Sequence, residues 1–193
     1  MKKTTAIILL SLLWFFSINS WAADSKSNIF QGIGVLTGLG TGPLEKKGEY
    51  RLHPVIIDFD VDLKPFLEKK GFCPPGLFQF QLEPFMSMVS QPDLNWEAGT
   101  ALMLKVGISP ERYPVQPYVK AGLGILYMSQ TSHEQSTQFN FLEQAGIGIH
   151  YFFEKDKAIT AEGLYRHVSN ASVKQPNSGI NTLFLLVGIT HKF

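Results

Sequence analysis

From residue 29 onward the chain alternates apolar and polar positions with a period of two, in about eight segments of roughly 10–15 residues. Their limits are close to 29–41, 49–63, 76–89, 95–108, 115–128, 139–153, 157–170 and 181–193, and clusters of Gly, Pro, Asn or Asp separate them. In the third segment Phe78, Phe80, Leu82, Met86 and Met88 take even positions, while Gln79, Gln81, Glu83 and Ser87 take odd ones. In the fourth, Trp96, Ala98, Leu102, Leu104, Val106 and Ile108 share one face, opposite Asn95, Glu97 and Lys105. The fifth sets Val119, Ala121, Leu123, Ile125 and Tyr127 against Lys120 and small or apolar residues. The last sets Leu183, Leu185, Val187, Ile189 and Phe193 against Thr182, Thr190 and Lys192. Side chains that alternate in this way belong to strands.

The segments are longer than the usual strand of about five or six residues. They match the roughly 9–11 residues that cross a bilayer when tilted. In lipid every backbone group must find a partner, so a membrane-spanning sheet has to close on itself. The pattern therefore predicts an all-β fold, an eight-stranded antiparallel transmembrane β-barrel, with both termini on the periplasmic side. The final strand ends on an aromatic residue, Phe193, as bacterial outer-membrane barrels do. A secreted soluble barrel of the lipocalin type would carry its apolar face inward; the continuous apolar faces, Phe193 and a low charge content favour the membrane. Only the second segment breaks step, with Tyr50 and Leu52 even but Ile57, Phe59, Val61 and Leu63 odd, and a β-bulge near Pro54 is predicted to restore it. Counting strands upward from the periplasm puts outer loops near 42–48, 90–94, 129–138 and 171–180, and inner turns near 64–75, 109–114 and 154–156.

Composition agrees. The 193 residues carry a net charge of +1, which suits one domain and provides no basic surface for nucleic acid. Charged residues make up 17%, below the roughly one quarter of ordinary soluble domains. At the N-terminus, Lys2 and Lys3 precede an apolar run from Ala6 to Phe16, followed by the small residues Ser20 and Ala22. That run is too short to span a bilayer. Residues 1–22 are predicted to be a signal peptide and 23–193 the outer-membrane barrel. Cys73 is the only cysteine, has no neighbouring base, and reads as a structural residue in a turn.

The seventh segment carries the chemistry. Its charged residues Glu162 and Arg166 fall on even positions, with Thr160 and Asn170, so this face points into the lumen. Ile159, Ala161, Gly163, Tyr165, His167 and Ser169 then face lipid. A polar pair on a lipid face is costly unless it lies at the interface. The bland account is a histidine that snorkels into the headgroups beside Tyr165. The functional account is a base and a nucleophile two residues apart, with Cα atoms about 6.5–7 Å apart, close enough for acyl transfer. Parity places Asn181 on the same outward face at the top of the eighth strand. Glu143, on the sixth, falls opposite His167 if a short turn at Glu154–Asp156 joins strands six and seven.

The run His167-Val168-Ser169-Asn170-Ala171, followed by Lys174-Gln175-Pro176-Asn177 and Gly179, resembles the signature of the PagL-type lipid A 3-O-deacylases. The resemblance extends through Tyr118 to Tyr127 and Phe139 to Gln144, and it fades toward the N-terminus. It implies hydrolysis of the ester that holds the 3-hydroxyacyl chain at position 3 of lipid A. Ser169 would then be the nucleophile and His167 the general base and later acid, with Asn170 and the N–H of Ala171 forming the oxyanion hole. No metal or cofactor is implied. By the same resemblance the substrate partner would be lipopolysaccharide and the site would lie near the outer leaflet, with a homodimer left open. The family has glutamate where this chain has Asn181. An amide can orient the ring without stabilising the imidazolium by charge, so Glu143 stands as the alternative acid.

Other polar positions are less specific. His53, His133, His150 and His191 lack metal-ligand spacing. Asp58, Asp60 and Asp62 alternate along one face and are expected to line the lumen, as are Glu97, Lys105, Lys120, Glu162 and Arg166, as ion pairs. Two rival functions remain at this level: a non-catalytic small barrel, an adhesin or structural protein, which would call for longer outer loops, and a channel. An eight-stranded interior is filled by side chains, which disfavours the channel.

Overall fold

A computed structural model of the chain describes residues 29–46 and 48–193; the predicted signal peptide lies outside them. Eight antiparallel strands form a closed barrel in chain order. They are β1 (Phe30–Leu44), β2 (Gly48–Asp62), β3 (Phe78–Gln91), β4 (Asn95–Gly107), β5 (Val115–Met128), β6 (Phe139–Phe152), β7 (Lys157–Ser169) and β8 (Ile180–Lys192). One short helix, α1 (Lys64–Glu68), sits in the connection between β2 and β3. Closure comes from β1 pairing with β8, from Gly32 opposite Lys192 to Thr41 opposite Leu183. Every strand therefore has two partners and no edge is left, which is the condition lipid imposes.

The outward face is apolar where the alternation requires it. Leu123, Ile147 and Leu185 are each about two-thirds exposed, at 65%, 67% and 71%, an arrangement that only a hydrocarbon surround makes favourable. Aromatic rings gather at both rims. Trp96 with Tyr127, and Phe139 with Phe141, lie toward the loop end, with centroids 5.7 and 5.9 Å apart. Phe30 stacks on the terminal Phe193 at 5.4 Å near the opposite end. Two such girdles mark the interfaces of an outer-membrane barrel.

The lumen holds ion pairs at two levels and an apolar cluster. Toward the terminal end Lys120 bridges Glu83 and Glu162 at 2.7 and 2.6 Å, and Lys105 pairs with Asp60 at 3.0 Å. Higher up, Arg166 grips Glu97 at 2.6 Å, and Tyr50 donates its hydroxyl to the same carboxylate at 2.9 Å. All five charged residues expected to pair inside the barrel do so. Asp58 and Asp60 are buried as well, whereas Asp62 stands at the strand end and accepts the Lys64 backbone N–H.

The storey nearest the loop end is apolar: Leu36, Leu52, Val89, Leu126, Leu142, Val168 and Ile180 form a single buried cluster. This explains the broken step in β2 and corrects the expected bulge near Pro54. Tyr50 and Leu52 point inward, at 3% and 0% exposure, with the same parity as Ile56, Asp58 and Asp60. Pairing runs unbroken through Pro54, opposite Ser87. The register shift falls instead between Arg51 and Leu52, where β2 meets β3.

Strand limits agree closely with those read from the sequence, and the first strand runs three residues further, to Leu44. The connections at the loop end are 45–47, 92–94, 129–138 and 170–179. The two long ones interlock. Gln135 bridges Asn177, and the Ser136 N–H donates to Pro176 O at 3.2 Å.

Candidate active site

Position 167 is where three strands bring polar groups to one line. Across β7 and β8, His167 is paired with Asn181; across β6 and β7 it is paired with Glu143. All three lie on the outward face, as parity required. One step toward the loop end, Ser169 is paired with Phe141, whose ring is also exposed. His167 and Ser169 are half-buried, and Asn181 and Glu143 are exposed.

The imidazole is oriented by one of its two flanking partners. His167 Nδ1 lies 2.7 Å from Asn181 Oδ1. An amide oxygen can only accept, so Nδ1 is the donor in this bond and Nε2 is the nitrogen left to act as a base. Among the described residues no hydrogen bond joins Glu143 to the ring. Gly179, across the hairpin from Ser169, closes over the ring edge. A Cβ built on it would sit 2.6 Å from His167 Cε1 and 3.2 Å from Nε2. Its φ of +82° is itself a left-handed conformation that favours glycine. The edge bearing Nε2 is thus turned up toward the Ser169 end of the strand. A hydroxyl and an oriented ring nitrogen on one strand face are the parts of an acyl-transfer site, although among the described residues no hydrogen bond joins His167 to Ser169.

Just beyond Ser169 the chain leaves the strand. Ala171 and Ser172 adopt left-handed φ values of 52° and 61°, conformations that cost non-glycine residues about 1–3 kcal/mol each and persist only where the surroundings hold them. Asn170 anchors the start of this turn. It is 1% exposed; its amide donates to Lys174 O at 2.8 Å, and its backbone N–H donates to Asn177 Oδ1 at 2.9 Å. The Asn170 amide also reaches Ser136 Oγ in the 129–138 connection, at 3.4 Å, so its backbone and side-chain donors are all engaged. The Ala171 N–H, which follows at the positive-φ turn, makes no hydrogen bond among the described residues. Asn177 and Gly179 were not singled out by sequence reasoning as site residues, although both lie in the run that carries the family resemblance.

The sequence profile of the family described as lipid A 3-O-deacylase (PagL) matches residues 77–190, a span that contains β3 to β7, β8 as far as Thr190, and every residue just discussed. The chain belongs to the lipid A 3-O-deacylase (PagL) family.

Membership makes it an outer-membrane lipid A deacylase. In fold, it is similar to the crystal structure of the outer membrane enzyme PagL, with a TM-score of 0.62 and 17% identity over 80% of this chain and 97% of that one. It is similar too to the crystal structure of Neisserial surface protein A (NspA), with a TM-score of 0.61 and 14% identity over 84% and 97%. At such identities the likeness is one of fold, and two neighbours that share it carry different names. No curated protein sequence matches the chain. The assignment to the PagL family therefore rests on the matched span.

Proposed function

We propose that this protein is a serine esterase that hydrolyses the ester holding the 3-hydroxyacyl chain at position 3 of lipid A, working from its outward face at the outer leaflet. The observation that carries this reading is the 2.7 Å bond between His167 Nδ1 and Asn181 Oδ1. It fixes the tautomer in which Nε2 can take a proton from Ser169, on the one wall of the barrel that a membrane lipid can reach.

The steps follow from that arrangement. Ser169 Oγ attacks the ester carbonyl carbon and its proton passes to His167 Nε2. The carbonyl oxygen becomes an oxyanion, held by the Ala171 N–H, while Asn170 keeps the turn in shape. Donors placed for developing charge usually contribute most to such a reaction. Collapse breaks the bond to the sugar oxygen, and His167 returns the proton to that leaving hydroxyl. Water, deprotonated by His167, then releases the fatty acid from Ser169. Asn181 holds the ring throughout but brings no charge to the imidazolium. Glu143, paired with His167 from the other side, is the alternative source of that charge.

Lipid A is a natural partner for such a wall. Its acyl chains lie against the apolar outward face, among residues such as Phe141, Tyr165 and Leu183, while its ester region reaches the interfacial level of His167. The test is mass spectrometry of lipid A from cells producing the wild-type protein or Ser169→Ala. Wild type is expected to convert lipid A to a form lacking one 3-hydroxyacyl chain from position 3, and Ser169→Ala is expected to leave it intact. Loss of a chain from another position would overturn the regiochemistry.

A further inference from the structure

We infer that Gln135, in the 129–138 connection, is a positioning residue that holds the Ser169 end of β7 in its reactive geometry from inside the barrel mouth. The inference rests on Ser169 and His167 being the reacting pair. Gln135 is fully buried, at 0% exposure, although it lies in a loop. Its Nε2 donates to the main-chain carbonyl of Val168 at 3.0 Å. Val168 is the residue between His167 and Ser169, so this bond grips the peptide that sets the spacing of base and nucleophile.

The same short stretch holds the rest of the hairpin. Gln135 forms an antiparallel bridge with Asn177, whose Oδ1 accepts the N–H of Asn170, next to the nucleophile. Ser136 Oγ donates to Lys174 O at 3.0 Å. Glu134 O accepts the N–H of Gly179, the residue against the imidazole edge, at 3.4 Å. Glu134 is itself buried, and its carboxylate accepts the Glu45 N–H from the β1–β2 turn at 3.0 Å. Residues 134–136 thus form a strap across the 170–179 hairpin, anchored to a third connection. The two left-handed residues Ala171 and Ser172 lie within the loop that this strap ties down. A buried amide that bonds to a strand carbonyl has a large cost of removal. Small displacements of a reacting pair are costly as well, since about 1 Å of misplacement can lower a rate about 100-fold.

A purely structural role and a positioning role separate in the kinetics. The substitution Gln135→Met keeps the volume and removes the donor; Asn177→Ala loosens the same strap from its other side. His133→Ala, an exposed change in the same loop, serves as the control. Folded barrel is selected by heat-modifiable migration in detergent, and either folded strap variant suffices. Each is assayed for turnover of detergent-dispersed lipid A and for the rate at which a fluorophosphonate labels Ser169. The expected result is a fall of about 10–100-fold in both kcat and labelling rate, with KM within about threefold of wild type, and no change in His133→Ala. Unchanged labelling and kcat in a folded strap variant would overturn the inference. A rise in KM alone, or an equal loss in His133→Ala, would also overturn it, because the loop would then be binding substrate. Failure of the underlying reading looks different: wild type would hydrolyse lipid A while Ser169 stayed unlabelled.

Discussion

His167 and Asn181 face each other directly across β7 and β8, with Nδ1 and Oδ1 2.7 Å apart. In the proposed reaction this pairing orients the histidine as the base, with an amide in place of a carboxylate. Asn181→Ala is expected to lower kcat by about 10-fold or more with little change in KM, because orientation is lost from the transition state. Asn181→Glu adds charge beside the imidazolium and is expected to hold or raise kcat. Glu143→Gln is expected to cost less than Asn181→Ala. If Glu143→Gln is the more damaging change, Glu143 is the working acid.

Gly179 offers an independent probe of the ring. A methyl group there would lie 2.6 Å from His167 Cε1, on a backbone held at a φ of +82°. Gly179→Ala is therefore expected to displace the imidazole and cut kcat by about 10-fold or more, while the barrel still migrates as a folded, heat-modifiable species. Wild-type turnover in this variant would show that the ring does not need its present position.

Arg166 is next to His167 in sequence, but its chemistry lies in the lumen. It pairs with Glu97 at 2.6 Å, with both side chains almost fully buried. Arg166→Met leaves a buried carboxylate that keeps only the Tyr50 hydroxyl, and a loss of about 3–5 kcal/mol in unfolding free energy is expected from denaturant titration in detergent. Combining it with Glu97→Gln is expected to restore part of that loss. An unchanged unfolding midpoint in Arg166→Met would remove the pair from the account of stability.

Much of this molecule is visible in its alternation. Long strands that put Leu183, Leu185 and Val187 on one face can close only as a membrane barrel, and the same parity sends His167, Ser169, Asn181 and Glu143 to the lipid side. Parity is less informative where both faces are apolar. In β2, Tyr50 and Leu52 are inward residues of an apolar upper lumen, and a reading that assigns every apolar side chain to lipid must invent a bulge at Pro54. The loops were opaque for a different reason. Nothing periodic marks Gln135 as buried or Asn177 as the acceptor for Asn170, because those bonds join connections far apart in the chain. Likewise, the sequence places two partners beside His167, and only the side-chain geometry shows which one it bonds.

The reacting groups proposed here all come from the chain: Ser169 as nucleophile, His167 as base, Asn181 as the orienting acceptor. Hydrolysis of detergent-dispersed lipid A is therefore expected to proceed at an undiminished rate in excess EDTA. Activity abolished by the chelator and restored by calcium would instead point to a metal-activated water as nucleophile.

The most direct measurement compares the turnover of purified, folded wild type, Ser169→Ala, His167→Ala and the double variant on lipid A in detergent, following released 3-hydroxy fatty acid. A pair that acts as a unit loses nearly everything at the first substitution. Each single variant is expected to fall by at least about 1,000-fold, and the double variant to fall no further. Ser169→Ala retaining a tenth or more of wild-type kcat would contradict the assignment of Ser169 as the nucleophile.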